Sequence, residues 1–368
     1  MKFSISREAL LKPLNLVAGV VERRQTLPIL SNVMLVLEGD QLSITGTDLE
    51  VELVGRVKLD QPAASSGEIT VPARKLADIC KSLPDGSDIE FTLDEQRVII
   101  RSGRSRFTLS TLAATDFPNV EDSAGAHHFA VKQGDLKRLL DRTSFAMAQQ
   151  DVRYYLNGML WEVQSGRLRV VATDGHRLAV CTLDAAIEAS EKLQVILPRK
   201  GVIELGRLLL SENDDVQIAI GANHIRAITE EFTFTSKLVD GKFPDYERVL
   251  PKSSSKIVFG HREDLRSAFH RAAILSNEKY RGVRLLLTDG NLEIVANNPE
   301  QEEAEESVSV EYSGADLEIG FNVSYLLDVL GVLSSDTVKL SLSDPNSSAL
   351  LEEAESSDSL YVVMPMRL

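Results

Sequence analysis

The chain has 368 residues, of which 43% are hydrophobic and 26% are charged, a composition typical of globular proteins. No apolar run approaches the ~20 residues that span a bilayer, and the first residues predict a strand rather than a signal peptide. A net charge of −15 argues on average against nucleic acid, and two cysteines are too few for a thiolate metal site. We therefore expect a cytoplasmic protein of two or three domains.

Each third of the chain predicts the same order of elements: a strand, a helix, an alternating hairpin, a strand, a second helix and another alternating hairpin. Hairpin turns are indicated at 38–40, 164–166 and 288–290, where a glycine lies between alternating apolar residues. The predicted helices span 7–24, 73–83, 133–146, 198–210, 262–275 and 322–333. Pro13 and Gly19 weaken the first helix and predict a kink or an early end.

Three motifs recur along the chain at nearly constant spacing. Residues 44–48 (Ile-Thr-Gly-Thr-Asp) return at 170–174 (Val-Val-Ala-Thr-Asp) and at 294–298 (Ile-Val-Ala-Asn-Asn). Segment 70–76 returns at 195–201 and more weakly at 319–324, and Phe117-Pro118 returns as Phe243-Pro244. A unit repeated three times predicts three similar domains, 1–122, 123–250 and 251–368, which pack through like contacts into an arc or a ring.

Charge is segregated between the predicted helices and the rest of the chain. The six helices hold 16 Lys and Arg against 9 Asp and Glu, whereas the remainder holds 24 against 46. If the helices line one side, that side is positive and the strand-built outside is negative, which suits a nucleic-acid partner on the inside. Ordinary solvated helix faces are the alternative. The sixth helix departs from the pattern, since Asp328 is its only charged residue.

Helix packing limits how many helices can surround a DNA duplex. Twelve helices in a circle leave a hole of roughly 20–30 Å, whereas six leave well under 10 Å. A duplex about 20 Å across passes only the larger ring. Because one chain supplies six helices, we expect two chains to join head to tail.

Two segments of opposite charge are candidates for the joining surfaces. Segment 101–109 is predicted to be a basic, apolar-studded strand, and 300–306 is the most acidic run in the chain. Solvated loops are the ordinary explanation of such runs. The acidic run, however, stands where the first two repeats have 49–52 and 175–178, which indicates a specialised copy.

Long motifs at 26–30, 47–50, 150–159, 172–178, 240–246 and 361–368 give the chain a resemblance to a known family. It resembles the bacterial DNA polymerase III beta subunit, the replicative sliding clamp, over essentially its whole length. The resemblance implies an α+β fold of three clamp domains, each with two helices inside and antiparallel sheets outside, in a ring-shaped homodimer around duplex DNA. It implies no catalysis, no cofactor and no metal, and a cytoplasmic, nucleoid-associated protein.

The resemblance also implies partners. An ATP-driven clamp loader, through its delta subunit, would open and close the ring. The DNA polymerase III alpha subunit, other DNA polymerases, ligase and mismatch-repair proteins would bind through short apolar peptides. The groove for these peptides would be formed by Arg153, Leu156, Thr173, Gly175, His176, Arg177, Leu178, Pro244, Arg248, Val249, Ser348, Val362, Val363, Met364, Pro365, Met366 and Arg367. A methionine pair in such a socket adapts to several peptides, whereas the alternative is a plain terminal strand packed on its own domain.

Two further surfaces are implied by the resemblance. Residues expected to contact DNA are Arg24, Arg74, Lys81, Gln150, Tyr154, Tyr155, Arg199, Lys200, Tyr280 and Arg284. Residues expected at the seam between chains are Lys75, Arg104, Arg106, Phe107, Leu109, Ile274, Leu275, Glu300, Glu302, Glu303 and Glu306. Gln149 stands beside Gln150 where family members often have His, so a titrating DNA contact is not expected there.

Two rival functions are open from the residues themselves. Asp174 and His176 could form an acid/base pair, and with Asp48 they could bind a metal. The third copy of this position is Asn298, and no second histidine lies at metal-ligand spacing, so no catalytic centre is predicted. The other rival is a monomeric interaction scaffold that never encircles DNA.

Overall fold

The computed structural model describes residues 1–21, 27–63, 65–118, 120 and 127–367. The chain divides into two compact units: unit 1 comprises 1–134 and 200–238, and unit 2 comprises 135–199 and 239–368. In the described residues there are six α-helices and 24 strands, and every strand pair is antiparallel. The predicted mixture of helices and antiparallel sheets is therefore confirmed.

Unit 1 contains an eight-stranded and a four-stranded sheet. Its strands are β1 (Lys2–Ser6), β2 (Asn32–Glu38), β3 (Gln41–Thr47), β4 (Val51–Lys58), β5 (Gly67–Pro72), β6 (Asp88–Asp94), β7 (Arg97–Ser102), β8 (Ser105–Ser110), β9 (His127–Lys132), β14 (Asp215–Ile220), β15 (His224–Ile228) and β16 (Phe232–Lys237). The orders are β5-β2-β3-β4-β16-β15-β14-β9 and β1-β6-β7-β8. Each sheet is thus built from meanders of consecutive strands.

Unit 2 repeats this plan with its own strands. They are β10 (Gly158–Gln164), β11 (Arg167–Thr173), β12 (Arg177–Asp184), β13 (Leu193–Pro198), β17 (Lys256–His261), β18 (Gly282–Thr288), β19 (Asn291–Asn297), β20 (Glu303–Ser309), β21 (Leu317–Asn322), β22 (Thr337–Leu342), β23 (Ala349–Glu353) and β24 (Ser359–Val363). The orders are β13-β10-β11-β12-β24-β23-β22-β17 and β20-β19-β18-β21.

The helices largely follow the sequence prediction. They are α1 (Arg7–Val17), α2 (Ala73–Ser82), α3 (Gln133–Asp141), α4 (Arg199–Leu208), α5 (Arg262–Ile274) and α6 (Val323–Val332). The predicted ends at 24 and 146 were wrong, because α1 ends soon after Pro13 and α3 gives way to a 3-10 turn at Ser144–Ala146. The other four helices agree with the prediction to within two residues. None of the described helices is long and apolar enough to cross a membrane.

The predicted hairpins are the first two strands of three-stranded meanders. Gly39, Gly166 and Gly290 all adopt positive φ in their two-residue turns, where a side chain would be strained. The prediction missed the third strand of each meander. In particular, 101–109 is not one strand, because Gly103 at φ 55° turns the chain between β7 and β8.

The repeat is visible in the core and in the sheet junctions. Ile44, Val170 and Ile294, at matching places in the three repeats, are all fully buried. Each eight-stranded sheet joins the third strand of one meander to the third strand of another, β4 to β16 in unit 1 and β12 to β24 in unit 2. The cysteines are buried too, and burial raises the pKa of Cys80 to about 12.

Removing core volume at a repeated position should destabilise its unit. Ile294→Ala leaves a cavity in unit 2 and should cost about 2–5 kcal/mol of unfolding free energy. The loss can be measured by urea unfolding followed through the fluorescence of Trp161, the single tryptophan, which is fully buried in unit 2. Ile257→Ala is the control, because Ile257 is 36% exposed and its truncation should cost less. Equal losses of unfolding free energy for both variants would contradict the assignment of Ile294 to the buried core.

Candidate functional site

An apolar floor lies on unit 2, where three neighbouring strands align their side chains. Leu178 on β12 is opposite Val362 on β24, which is in turn opposite Leu350 on β23. Residues directly opposite in an antiparallel sheet share one face. The same cluster includes the buried side chains of Leu156, Ile196, Phe243 and Tyr246. The structure therefore brings together Leu156, Leu178 and Val362, which the sequence placed in one groove.

The turn before β12 forms one rim of this floor. Thr173 Oγ1 donates to the Arg177 carbonyl at 2.6 Å and accepts from the Gly175 amide at 3.1 Å. Asp174 Oδ1 accepts from the amides of His176 (2.9 Å) and Arg177 (3.0 Å). Gly175 adopts φ 90°, a conformation that favours glycine. Asp174 therefore closes the turn before β12.

Arg177 is held on all sides. It donates to Asp174 Oδ2 at 3.1 Å and to the Phe145 carbonyl at 2.9 Å, and it pairs with Asp328. Its guanidinium also lies 4.5 Å from the ring centroid of Tyr325, on which the exposed His176 ring stacks. These contacts hold the Arg177 side chain in one position beside the apolar floor.

Arg153 overhangs the rim from the preceding loop. Its guanidinium donates to both carboxylate oxygens of Asp151, at 3.0 and 2.9 Å, and reaches the Asp174 carbonyl at 3.4 Å. These hydrogen bonds lower the pKa of Asp151 to about 2. The pair is thus complete at neutral pH and is lost only as the pH falls toward 2. Gly175 leaves room for it, since a Cβ there would lie 3.1 Å from Arg153 Nη2.

The chain segment after β24 lies beside the turn before β12. Met364 donates its amide to the His176 carbonyl at 2.9 Å, and Met366 donates to the Gly320 carbonyl at 2.9 Å. Met364 is 40% exposed, and Val249, another of the predicted groove residues, is 41% exposed. The remaining predicted groove residues are Pro244, Arg248 and Arg367, which are exposed, Ser348 and Pro365, which are half-buried, and Val363, which is buried.

Unit 1 has the same strand junction but a polar floor. Glu52 takes the place of Leu178, since it is opposite Thr47 as Leu178 is opposite Thr173. Thr235 is opposite Glu52 and so takes the place of Val362. Both are buried, and burial raises the pKa of Glu52. An apolar peptide would bury its side chains against polar groups here, which is unfavourable. The repeated junction is therefore apolar in unit 2 and polar in unit 1.

The predicted DNA contacts are distributed over both units. Arg24 lies outside the described residues. Arg74 and Lys81 are exposed on α2, and Lys200 pairs with Asp48 at 2.5 Å, all in unit 1. The unit 2 residues are Gln150 (φ 55°), Tyr154 (57% exposed), Tyr155 (half-buried against the groove cluster), Arg199 (3.4 Å from the Met147 carbonyl), Tyr280 (57% exposed) and Arg284 (3.4 Å from Glu318).

The predicted seam residues lie at two strand edges and nearby helix positions. Arg104 and Arg106 are exposed at β8, where Phe107 is half-buried and Leu109 is buried, and Lys75 is exposed on α2. Ile274, at the end of α5, is 76% exposed, and Leu275 after it is half-buried. Glu300, Glu302 and Glu303 are exposed. Glu306 is bound by Arg271 at 2.6 Å, which lowers its pKa.

In each of the three copies of the motif that ends at Asp48, Asp174 or Asn298, the side chain of this last residue accepts backbone hydrogen bonds in a turn. Asp48 Oδ1 accepts from the amides of Glu50 and Val51, as Asp174 does in the second repeat. Asn298 Oδ1 accepts from the Glu302 amide at 3.0 Å in the third. Among the described residues, no group of three or more His, Cys, Asp or Glu could hold a metal ion. The aspartates thus serve as turn caps.

Models of the DNA polymerase III beta subunit match the chain three times. The N-terminal domain matches 1–121, the central domain matches 130–245, and the C-terminal domain matches 247–367. The chain belongs to the DNA polymerase III beta subunit family. It is therefore a sliding clamp, a non-catalytic DNA replication subunit that works with DNA and polymerase. The predicted resemblance and the absence of catalysis are confirmed.

Individual beta subunits agree over the full length. The beta sliding clamps of Pseudomonas aeruginosa and Escherichia coli K12 are 68% and 55% identical, with all of both chains covered. The crystal structure of the P. aeruginosa DNA polymerase III subunit beta has a TM-score of 0.98 at 68% identity and full coverage of both chains. A P. aeruginosa sliding clamp has also been crystallised bound to griselimycin, again at a TM-score of 0.98, 68% identity and full coverage.

Sequence reasoning missed several residues that contact the predicted groove residues. Asp151 and Asp328 hold the two arginines, and Tyr325 and Phe145 contact Arg177 with their rings. One signal was available for two of them. Tyr325 and Asp328 lie on α6, the helix that lacks the basic residues of the others, which indicates a different task.

Adding a methyl group at Gly175 should disturb the rim. Gly175→Ala combines a strained positive φ with a close approach to Arg153, so we expect a loss of about 1–3 kcal/mol and a displaced guanidinium. Thermal unfolding and the Arg153 Nε–H NMR signal would measure both effects. Gly290→Ala is the matched control, because Gly290 has φ 71° and no atom lies within 4 Å of its added Cβ. An unchanged Arg153 signal in Gly175→Ala would refute the proposed clearance.

Proposed function

We propose that the chain closes head to tail with a second copy into a ring around duplex DNA, with three domains at 1–122, 123–250 and 251–368 in each chain. A clamp loader that hydrolyses ATP opens and closes this ring. The ring then tethers the polymerase alpha subunit and other replication and repair proteins in the cytoplasm, at the nucleoid. The observation that carries the proposal is the pair of unjoined edges left by the repeated sheet plan.

Each four-stranded sheet ends at a strand of the kind that joins the two halves of an eight-stranded sheet. β8 and β20 are terminal strands of their sheets. β20 is the third strand of its meander, as β4 and β12 are, and β8 is a third strand, as β16 and β24 are. In each unit these two kinds of strand pair with each other. A second copy would therefore pair its β20 with β8.

The repeat also sets the register of this seam. Phe232 is opposite Gly55 in unit 1, and Ser359 is opposite Cys181 at the matching place in unit 2. Transferred to the open edges, this register puts Ser105 opposite Glu306 of the second copy. Arg106 then faces Glu305, and Phe107 faces Ala304. Oppositely charged cross-strand pairs stabilise such a seam, and salt screens them where they are exposed.

The helices supply the charge that DNA would meet. Their observed spans hold 13 Lys and Arg against 8 Asp and Glu, in a chain that holds 40 against 55 overall. Lysine and arginine neutralise phosphates without reading bases, so binding would not depend on sequence. Exposed Tyr154 and Tyr280 could stack on unpaired bases at a single-stranded end.

The groove is the docking site for partner peptides in this proposal. Its floor is apolar and buried, its rim is fixed by Arg177 and Asp174, and Met364 at its edge is flexible and polarizable. These features suit a short peptide with apolar anchors. Since each chain has one such floor, a ring would offer two sockets.

Truncation after Val363 should abolish peptide binding, because it removes Met364, Pro365 and Met366. We expect at least a tenfold loss of affinity for a labelled clamp-binding peptide of the alpha subunit, by fluorescence anisotropy, while the dimer mass persists. Leu49→Ala is the control. Leu49 is an exposed apolar residue on the equivalent turn of unit 1, and its truncation should leave affinity unchanged. If the truncated chain kept its affinity for the peptide, the assignment of the docking groove would be wrong.

Threading can be separated from ordinary binding by cutting the DNA. A clamp loaded on nicked circular DNA by its loader and ATP should stay bound at about 1 M salt, where phosphate contacts are screened. Linearising the circle with a restriction enzyme should release it. The readout is co-elution of labelled clamp with DNA in gel filtration. A clamp that leaves the uncut circle, or that stays on the linear DNA, would favour the monomeric scaffold instead.

A further inference from the structure

The two sheet junctions within the chain share an ion pair at one position. In unit 1, Lys12 on α1 pairs with Glu231 at 2.5 Å, and in unit 2, Arg138 on α3 pairs with Asp358 at 3.9 Å. Lys12 and Arg138 are each the sixth residue of their helix. Glu231 and Asp358 each immediately precede a joining strand, β16 or β24. Both junctions therefore set a cation on the helix against an acid on the turn.

The matching positions at the open ends carry the opposite pattern. The sixth residue of α5 is Ser267, and the residue immediately before β8 is Arg104. Asp264 lies one helical turn before Ser267, exposed on the same face, with His261 Nδ1 at 3.4 Å. The cation thus lies on the turn, whereas the matching helix position is neutral, with the exposed acid Asp264 one turn before it. Arg271, one turn after it, is already bound to Glu306.

We infer that the junction between two copies is inverted in polarity, with Arg104 of one copy received by Asp264 beside Ser267 on α5 of the other. This inference rests on the proposed head-to-tail ring and names a contact within it. The backbone supports the position. The amide of Arg56 donates to the Glu231 carbonyl at 2.7 Å, and that of Thr182 donates to the Asp358 carbonyl at 2.8 Å. If the amide of Ser307 in one copy donated in the same way to the Arg104 carbonyl of the other copy, Arg104 would lie beside α5.

The inversion would keep the ends from joining at the wrong place. If the β8 edge of a second copy displaced β16, Arg104 would meet Lys12, and if it displaced β24, Arg104 would meet Arg138. If an α5 end displaced α1, Asp264 would meet Glu231. Each wrong junction brings like charges together, and like-charge contacts are how proteins reject near-identical partners. Two homologous junctions within each chain and a third between copies make this protection useful.

A charge-swap cycle on the full chain tests the contact. Arg104→Glu and Ser267→Lys should each raise the dimer dissociation constant about tenfold, counting two identical seams per ring, because each puts like charges together. The double variant recreates the cation-on-helix pattern of Lys12 and Glu231, so it should return to within about threefold of the unmodified chain. Sedimentation equilibrium at low salt measures the constants, and the buried Trp161 reports whether each variant is folded.

A matched control shows whether rescue depends on the position of the added charge. Arg104→Glu combined with Ser357→Lys adds the same charge at an exposed serine in the β23–β24 turn and should stay as weak as Arg104→Glu alone. A double variant at Arg104 and Ser267 that is no tighter than its singles would overturn the inversion and leave the ring intact. An unmodified chain that is monomeric would overturn the ring itself, and the inversion with it.

Discussion

The fold depends on one kind of backbone pairing, the antiparallel joining of two third strands from different meanders. Each such joining makes one eight-stranded sheet out of two four-stranded halves, β4 with β16 and β12 with β24. An unpaired edge strand is a template for another chain, and proteins usually cover or charge it. Here β8 and β20, the two third strands that remain unjoined, are charged with opposite sign. An unpaired edge that could otherwise promote aggregation thus favours a partner edge of opposite charge.

Sequence periodicity was enough for the helices and for the repeat, because both leave strong local patterns. Four helix starts were right and the other two differ by one residue, since buried positions recur at helical spacing. The third strand of each meander was missed for a physical reason. The clearest case is β20, whose residues are mostly exposed, polar and charged, so it does not show the apolar alternation of buried strands. The early end of α1 was signalled by Pro13 but could not be located from sequence.

The groove was predicted by resemblance more than by residue pattern. Leu178 and Val362 are ordinary strand residues until the register places them opposite each other, and their counterparts Glu52 and Thr235 show that the same backbone can carry a polar filling. Supporting residues such as Asp151 and Tyr325 act through hydrogen bonds and ring contacts that only the folded chain defines. Repetition therefore supplied an equivalent place in each unit, and side-chain substitution made the one in unit 2 apolar.

The burial of both cysteines has a practical consequence for chemistry on this clamp. Thiols react as thiolates, and a fully buried thiol with a raised pKa is scarcely ionised and out of reach at neutral pH. Maleimide reagents would therefore spare the native sulfur atoms. Cysteines introduced on β8 and β20 would be the reactive ones, so a fluorophore could be attached there selectively, or a covalent latch formed between facing protomers, without first replacing Cys80 or Cys181.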